Sequence, residues 1–128
     1  MTADEQKKAV KKHERNLKKN MEALGTYKAE YSHTIATFAK ILVDIEAAEA
    51  EFFDSGGELI VEHTNNAGVT NNIKNPYYQI IENLRQSAII YARELGLTPA
   101  GLKKLNEKLK AAPEKKENIT KKILSLYG

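Results

Sequence analysis

The amino-acid sequence predicts a mainly α-helical protein with two long antiparallel helices, a small β-hairpin inserted between them, a short C-terminal helix and a basic N-terminal helix or tail. Three observations support this fold class. Two long stretches carry apolar residues at intervals of three and four, which is the spacing of one helix face. A segment rich in Gly and Asn separates the two stretches. A Gly-Leu-Thr-Pro sequence follows the second one, where we expect one helix to end and another to begin.

The N-terminal stretch predicts a helix whose basic side chains share one side. If residues 4–21 are helical, an advance of about 100° per residue places all seven Lys and Arg side chains within an arc of about 140°. Val10, Leu17 and Met21 cluster on the opposite side. Because this apolar seam is thin, we expect the helix to need DNA or a neighbouring helix for stability. The residues of this cationic arc, interpreted as DNA-binding, are Lys7, Lys8, Lys11, Lys12, Arg15, Lys18 and Lys19.

The first long apolar stripe predicts a helix over about residues 33–54, after Gly25 ends the preceding helix. Stripes of this length usually pack against partner helices, in the same chain or across subunits. We therefore predict oligomerisation, with head-to-tail contacts that close into a ring. The acidic residues of the same helix are interpreted as a solvated face. The predicted oligomerisation residues are Ile35, Phe38, Leu42, Ile45 and Phe52.

Two short runs on either side of Asn-Asn-Ala-Gly predict the hairpin, because turn-forming residues bound them. The second long helix is predicted over residues 76–95. Asn75 supplies its N-cap and Pro76 its first position. Four asparagines in or beside the hairpin are interpreted as turn chemistry rather than as readers of DNA bases. They are Asn65, Asn66, Asn71 and Asn72.

The stretch over residues 92–105 predicts a helix, a short corner and a second helix. Gly96 suits a left-handed residue at a helix end, and Thr98 with Pro99 suits the start of the next helix. Ordinary helix bundles use such corners, and so do helix-turn-helix DNA readers; we favour the bundle corner. Leu102, Leu105 and Leu109 share one side of the short helix. The lysines away from that side, interpreted as a second DNA-binding group, are Lys103, Lys104 and Lys108.

Length and composition limit the possible functions. A chain of 128 residues suits one domain, and the absence of cysteine excludes disulfides and thiolate metal sites. Neither a phosphate-binding loop nor a His-Glu-x-x-His motif occurs, and the three histidines are scattered. We therefore predict no enzyme, no catalytic residue, no metal and no cofactor. Without a signal-peptide core or an apolar run that could span a bilayer, the chain is expected to be soluble and cytoplasmic, with no membrane partner.

Charge is distributed unevenly along the chain. The overall net charge is +3, but residues 1–20 carry seven basic and three acidic side chains, and residues 103–128 carry eight basic and three acidic ones. The intervening residues are acidic on balance. Basic ends around an acidic body favour a polyanion as partner. The alternative is that the lysine-rich ends serve only solubility.

The order of these elements resembles the small subunit of phage terminases. The resemblance covers about residues 22–110 and depends on the Tyr-rich start of the first long helix, the Asn-Pro helix start and the sequence Arg-Glu-Leu-Gly-Leu-Thr-Pro. Combining it with the charge pattern, we predict a basic segment at residues 1–20, a helical domain at 21–110 and an amphipathic tail at 111–128. We expect that tail to dock on the assembly or on a partner through Ile119, Ile123, Leu126 and Tyr127.

What the resemblance implies about function is a DNA-packaging component. Such small subunits form rings, bind double-stranded viral DNA and regulate the terminase large subunit, which holds the ATPase and the nuclease. The place of action would be the host cytoplasm. Two alternatives remain open at the level of the sequence. One is a helical oligomeric adaptor without a DNA role, and the other is a small DNA-binding transcriptional regulator.

Overall fold

The computed structural model describes residues 2–108. Three long helices and one hairpin make up most of the fold, and the predicted mainly helical class is confirmed. A fourth helix, α4, begins at residue 99 and is helical through residue 108. Leu109 and the predicted C-terminal tail lie outside the described residues. The other elements are α1 (Ala3–Leu24), a short 3-10 helix (Ala29–Tyr31), α2 (Ser32–Asp54), β1 (Ile60–Thr64), β2 (Thr70–Lys74) and α3 (Pro76–Glu94).

Helix α1 is bounded by two strong local signals. Thr2 accepts a hydrogen bond from the backbone N–H of Glu5, and the Glu5 side chain accepts one from the Thr2 backbone N–H. This capping box satisfies N–H groups that a helix start leaves unpaired. At the other end Gly25 adopts φ 74°, and the Thr26 N–H donates to the carbonyl of Met21 at 2.9 Å. The helix is therefore continuous past residue 20 and stops where the left-handed glycine was predicted.

Helix α2 lies between α1 and α3 and runs antiparallel to α3. Phe38 near the start of α2 contacts Tyr91 near the end of α3, while Phe52 near the end of α2 contacts Tyr78 near the start of α3. Helix α1 turns back onto α2 through the connection at residues 25–31. The core where the three helices meet consists of Leu17, Met21, Ile35, Phe38, Ala39 and Leu95.

The hairpin is joined to the helices at its base by a single buried side chain. Asn75 is 3% exposed. Its side-chain oxygen accepts from the Tyr77 N–H at 3.0 Å, which caps α3, and its side-chain nitrogen donates to the Glu58 carbonyl at 2.8 Å. The Asn75 backbone N–H donates to the Leu59 carbonyl at 2.7 Å. The predicted N-cap is confirmed, and the same residue holds the hairpin.

The hairpin asparagines have two different roles. Asn65 does form the turn, because its side-chain oxygen accepts from the N–H groups of Ala67 and Val69, each at 3.0 Å. Asn71 and Asn72 instead belong to strand β2, paired with His63 and Glu62 of β1. Their interpretation as turn residues was wrong. Cross-strand pairing overrides the local preference of asparagine for turns.

The corner after α3 has the predicted chemistry. Gly96 adopts φ 71°, the Leu97 N–H donates to the Ala92 carbonyl at 2.8 Å, and Thr98 accepts from the Gly101 N–H at 3.0 Å. Pro99 is the first residue of α4. Leu95 is buried and Leu97 packs against the core, so α4 starts at the same end of the molecule as the C-terminal half of α1.

Candidate nucleic-acid interface

The cationic arc of α1 forms an exposed face because the apolar seam of the helix is used for packing. Leu17 and Met21 are buried in the core, and Val10 packs against it. A helix fixed by one side presents the opposite side to solvent. All seven residues of the arc are exposed: Lys7, Lys8, Lys11, Lys12, Arg15, Lys18 and Lys19.

Most charges of the arc are uncompensated among residues 2–108. Lys18 alone of the seven forms an ion pair in this part of the chain, with Glu22 at 4.0 Å. Its ammonium group also lies 5.0 Å from the ring centre of Tyr27. The remaining six lack an acidic partner among the ion pairs of the described region. Such a row of unpaired cations produces a positive potential that attracts polyanions.

The second predicted cationic group lies on α4. Lys103, Lys104 and Lys108 are exposed, while Leu102 and Leu105 are half-buried. Leu105 approaches Gly96 so closely that a Cβ there would lie 3.0 Å from a Leu105 methyl carbon. The leucines thus hold α4 against the corner, and this packing orients the three lysines towards solvent.

A further lysine, Lys40, lies beside the arc and was missed in the sequence. It lines an open groove of about 490 Å³ between α1 and α2, together with Lys7 and Lys11. Glu14 and Asp44 line the same groove, so its charge is mixed. Lys40 belongs to a helix whose other charged residues are mostly acidic. Only the packing of α1 on α2 could reveal its position next to the arc.

Two acidic side chains of α2 form inter-helix contacts. The Glu46 carboxylate lies 2.7 Å from Nε2 of His13, and the Glu49 carboxylate lies 3.2 Å from the guanidinium of Arg85. His13, one of the three scattered histidines, thereby links α1 to α2. Within residues 2–108 no group of three or more His, Asp or Glu side chains is arranged to hold a metal ion.

The predicted oligomerisation residues lie mainly in the interior of a single copy. Ile35, Phe38 and Phe52 are buried in one copy, and Leu42 and Ile45 are half-buried. Periodicity identifies an apolar face but does not tell whether the partner belongs to the same chain or another. Here α1 and α3 of the same chain are the partners. The predicted oligomerisation residues of α2 pack beneath these two helices.

An exposed apolar side remains on α3. Tyr77 is 40% exposed and Ile80, about one turn further on, is 48% exposed, whereas Leu84 and Tyr91 on the same stripe are half-buried. The neighbouring Ile90 is 58% exposed and lies with Tyr91 in an open groove against the start of α2. Tyr77 and Ile80 near the start of α3 are therefore a candidate contact surface, separate from Ile90 near its end.

The fold and the basic surface define a small helical protein with one exposed cationic helix face. Its family is shown by comparison with known proteins. The family model described as phage terminase, small subunit, matches residues 10–112, and the chain belongs to that family. The match starts at residue 10, inside α1, whereas the resemblance seen in the sequence started at about residue 22. The match therefore adds about half of α1 to the resemblance.

Further findings accompany the family match. Small subunits of this family are generally non-catalytic, and their family has a role in phage DNA packaging. Neither a curated protein nor a solved structure matches the chain. Among the described residues, no helix is both long and apolar enough to cross a membrane.

Proposed function

We propose that the protein binds double-stranded phage DNA through the cationic arc of α1 and regulates the terminase large subunit during packaging. The observation that carries the DNA-binding part is the arc itself, with six of its seven cations unpaired among residues 2–108. The helix is fixed on α2 by Leu17, Met21 and the His13–Glu46 contact. The cations are therefore arranged before DNA arrives.

The contacts formed by this surface are contacts to phosphate. Lysine and arginine side chains on a straight helix face follow the backbone and carry little sequence information. Each neutralised phosphate releases counterions, so affinity falls steeply with salt. Six neutralised phosphates give a log–log salt slope of about −5. The lysines of α4 add to this surface from the end of the molecule where the C-terminal half of α1 also lies.

Assembly into a ring is the second part of the proposal. The exposed apolar side chains of Tyr77 and Ile80 on α3 support a contact with a second copy. Ile35, Phe38 and Phe52 hold α2 and α3 together beneath it. If the contact is head-to-tail and the rotation between copies closes, the assembly is a ring. The large subunit is the partner expected from family membership, and the host cytoplasm is the compartment in which both would act.

A charge-reversal experiment tests the DNA-binding part. Glutamate is introduced at Lys11, Lys12, Arg15 and Lys18, and duplex binding is measured by anisotropy over a salt series. We expect weaker binding and a salt slope flatter by about 0.9 for each phosphate that is no longer neutralised. The matched control keeps every charge by exchanging Lys for Arg, and Arg for Lys, at the same positions.

Helix content by circular dichroism should be unchanged in both variants, because the four side chains are exposed. If the reversed variant retains the affinity and the salt slope of the unaltered protein, the arc does not bind DNA. An adaptor with solubilising lysines is then the better description.

A further inference from the structure

The β-hairpin is unusually exposed for a regular secondary structure. Only Val61 and Ile73 are half-buried, and every other strand residue is exposed. Ile60 is 63% exposed although it is apolar. A hairpin of two strands is marginally stable by itself in water. This hairpin is regular over five residue pairs and packs against little else, which points to a missing neighbour.

The register shows which backbone groups are free. The Asn75 N–H bonds to the Leu59 carbonyl at one end, and the Asn65 N–H bonds to the Val69 carbonyl at the other. Hydrogen-bonded pairs alternate along an antiparallel ladder, so the pairs Val61–Ile73 and His63–Asn71 complete the inner ladder. The N–H and C=O groups of the alternate residues point outward. They are Ile60, Glu62 and Thr64 on the β1 edge, and Thr70, Asn72 and Lys74 on the β2 edge.

Both edges are suited to pairing with another strand. Within residues 2–108 the sheet has two strands, and neither outer edge is paired. Exposed edges are commonly blocked by charged side chains, by proline or by a bulge. Each edge here carries one charged residue among its outward positions, Glu62 or Lys74, but neither strand contains proline and the register is unbroken. Lys74 is held by Glu82 of α3, which anchors the β2 edge to the helical body.

We propose that the β1 edge of one copy pairs antiparallel with the β2 edge of the next copy. This inference rests on the proposed assembly into a ring, and it names the surface through which neighbouring copies join. If the neighbour pairs in the register of the hairpin itself, Glu62 faces the uncharged Asn72 of the neighbour. Like charges directly opposite each other destabilise a sheet, and this pairing brings none together. The occupant of the edge is therefore a second copy of this chain.

Charge and symmetry distinguish this arrangement from a two-fold dimer. Two β1 edges joined at their centre would bring two Glu62 side chains face to face, which is unfavourable. A dimer of β2 edges would leave both β1 edges open. Head-to-tail pairing uses both edges of every copy and, when it closes, leaves no free edge. The hairpins then form one continuous sheet around the assembly.

Proline substitution on the outward positions tests the inference without disturbing the inner ladder. Glu62→Pro and Asn72→Pro each remove one outward N–H, and Glu62→Ala and Asn72→Ala are the matched controls that retain it. Light scattering gives the subunit number, and amide hydrogen exchange on the full chain gives the protection of residues 62 and 72. We expect both proline variants to lose subunits and both alanine variants to keep them. In the assembled protein the two amides should exchange at least about tenfold more slowly than in the dissociated protein.

Exchange at the inner amides keeps the test interpretable, because protection of Ile73 and His63 in the proline variants shows that the hairpin itself persists. Three results would overturn the inference. If the protein assembles but its outward amides exchange freely, other surfaces join the copies. The edge-pairing inference is then wrong, while the proposed function stands. A monomer with protected outward amides has its edges covered by its own chain. A loss of subunits with Asn72→Pro alone indicates a β2–β2 dimer.

Discussion

Gly101 of α4 lies against the carbonyl group of Arg93 at the end of α3: a Cβ built on Gly101 would stand 2.2 Å from the Arg93 oxygen. Real Cβ atoms essentially never approach backbone so closely. The two helices are therefore in contact through backbone at the corner, and glycine is the residue that permits it. This contact fixes the direction of α4 and hence the positions of its lysines.

Substitution of Gly101 by alanine should open the corner. The added methyl group collides with backbone rather than with a flexible side chain, so we expect a decrease of about 1–3 kcal/mol in the free energy of unfolding. Thermal melting followed by circular dichroism measures it. Ala100→Ser, at the exposed neighbouring position, is the control and should stay within about 0.5 kcal/mol. An equal melting temperature for Gly101→Ala and the unaltered protein would contradict this contact.

Met21 should be essential for holding the basic helix on the core. It has no exposed surface, so Met21→Ala leaves a cavity and should cost about 2–5 kcal/mol. Leu24→Ala removes an apolar side chain of similar size three residues further on, where the leucine is 43% exposed, and should cost much less. Urea denaturation of the two variants gives the comparison. A similar cost for both would mean that α1 is not packed as described.

The α4 lysines should contribute less to DNA affinity than the arc. The double variant Lys103→Glu, Lys104→Glu adds negative charge at two exposed positions, and we expect weaker duplex binding with a salt slope flattened by up to about 2. The comparison is Lys103→Arg, Lys104→Arg, which keeps the charge. Fluorescence anisotropy at several salt concentrations measures the affinity. If the double variant loses more DNA affinity than the α1 charge-reversal variant, the main DNA contact lies on α4.

The exposed side of α3 should contribute to assembly. Ile80→Asp places a charge beside the exposed Tyr77, and burying an unpaired charge at an interface is costly. We expect a smaller subunit number by light scattering. Gln79→Asp introduces the same charge at the preceding exposed position and should have little effect. If Ile80→Asp assembles normally, the interface lies elsewhere.

Local signals made most of the fold predictable. The predicted helices at residues 33–54 and 76–95 are found at Ser32–Asp54 and Pro76–Glu94, because caps and left-handed glycines act on their immediate neighbours. The predicted cap residues Asn75 and Thr98 are confirmed by their hydrogen bonds. Such signals require no knowledge of the rest of the chain.

Contacts between distant residues were not predictable in the same way. The link from His13 to Glu46 joins positions far apart in sequence, and the position of Lys40 beside Lys7 and Lys11 depends on the same packing. Ile35 and Phe38 were correctly placed on an apolar face, but periodicity could not tell that α1 and α3 cover it. The basic face of α1 itself was predictable, because helix geometry alone determines which side chains share a side.

Asn75 couples the hairpin mechanically to α3. One side chain holds the Glu58 carbonyl and the first turn of the helix at the same time, and Lys74 beside it is tied to Glu82 in the second turn of the helix. A displacement of the hairpin therefore also moves the start of α3, because the connection between them is rigid. A molecule that binds the hairpin can therefore change the position of α3. Asn75→Ala would remove both side-chain hydrogen bonds and make the hairpin more mobile relative to the helix.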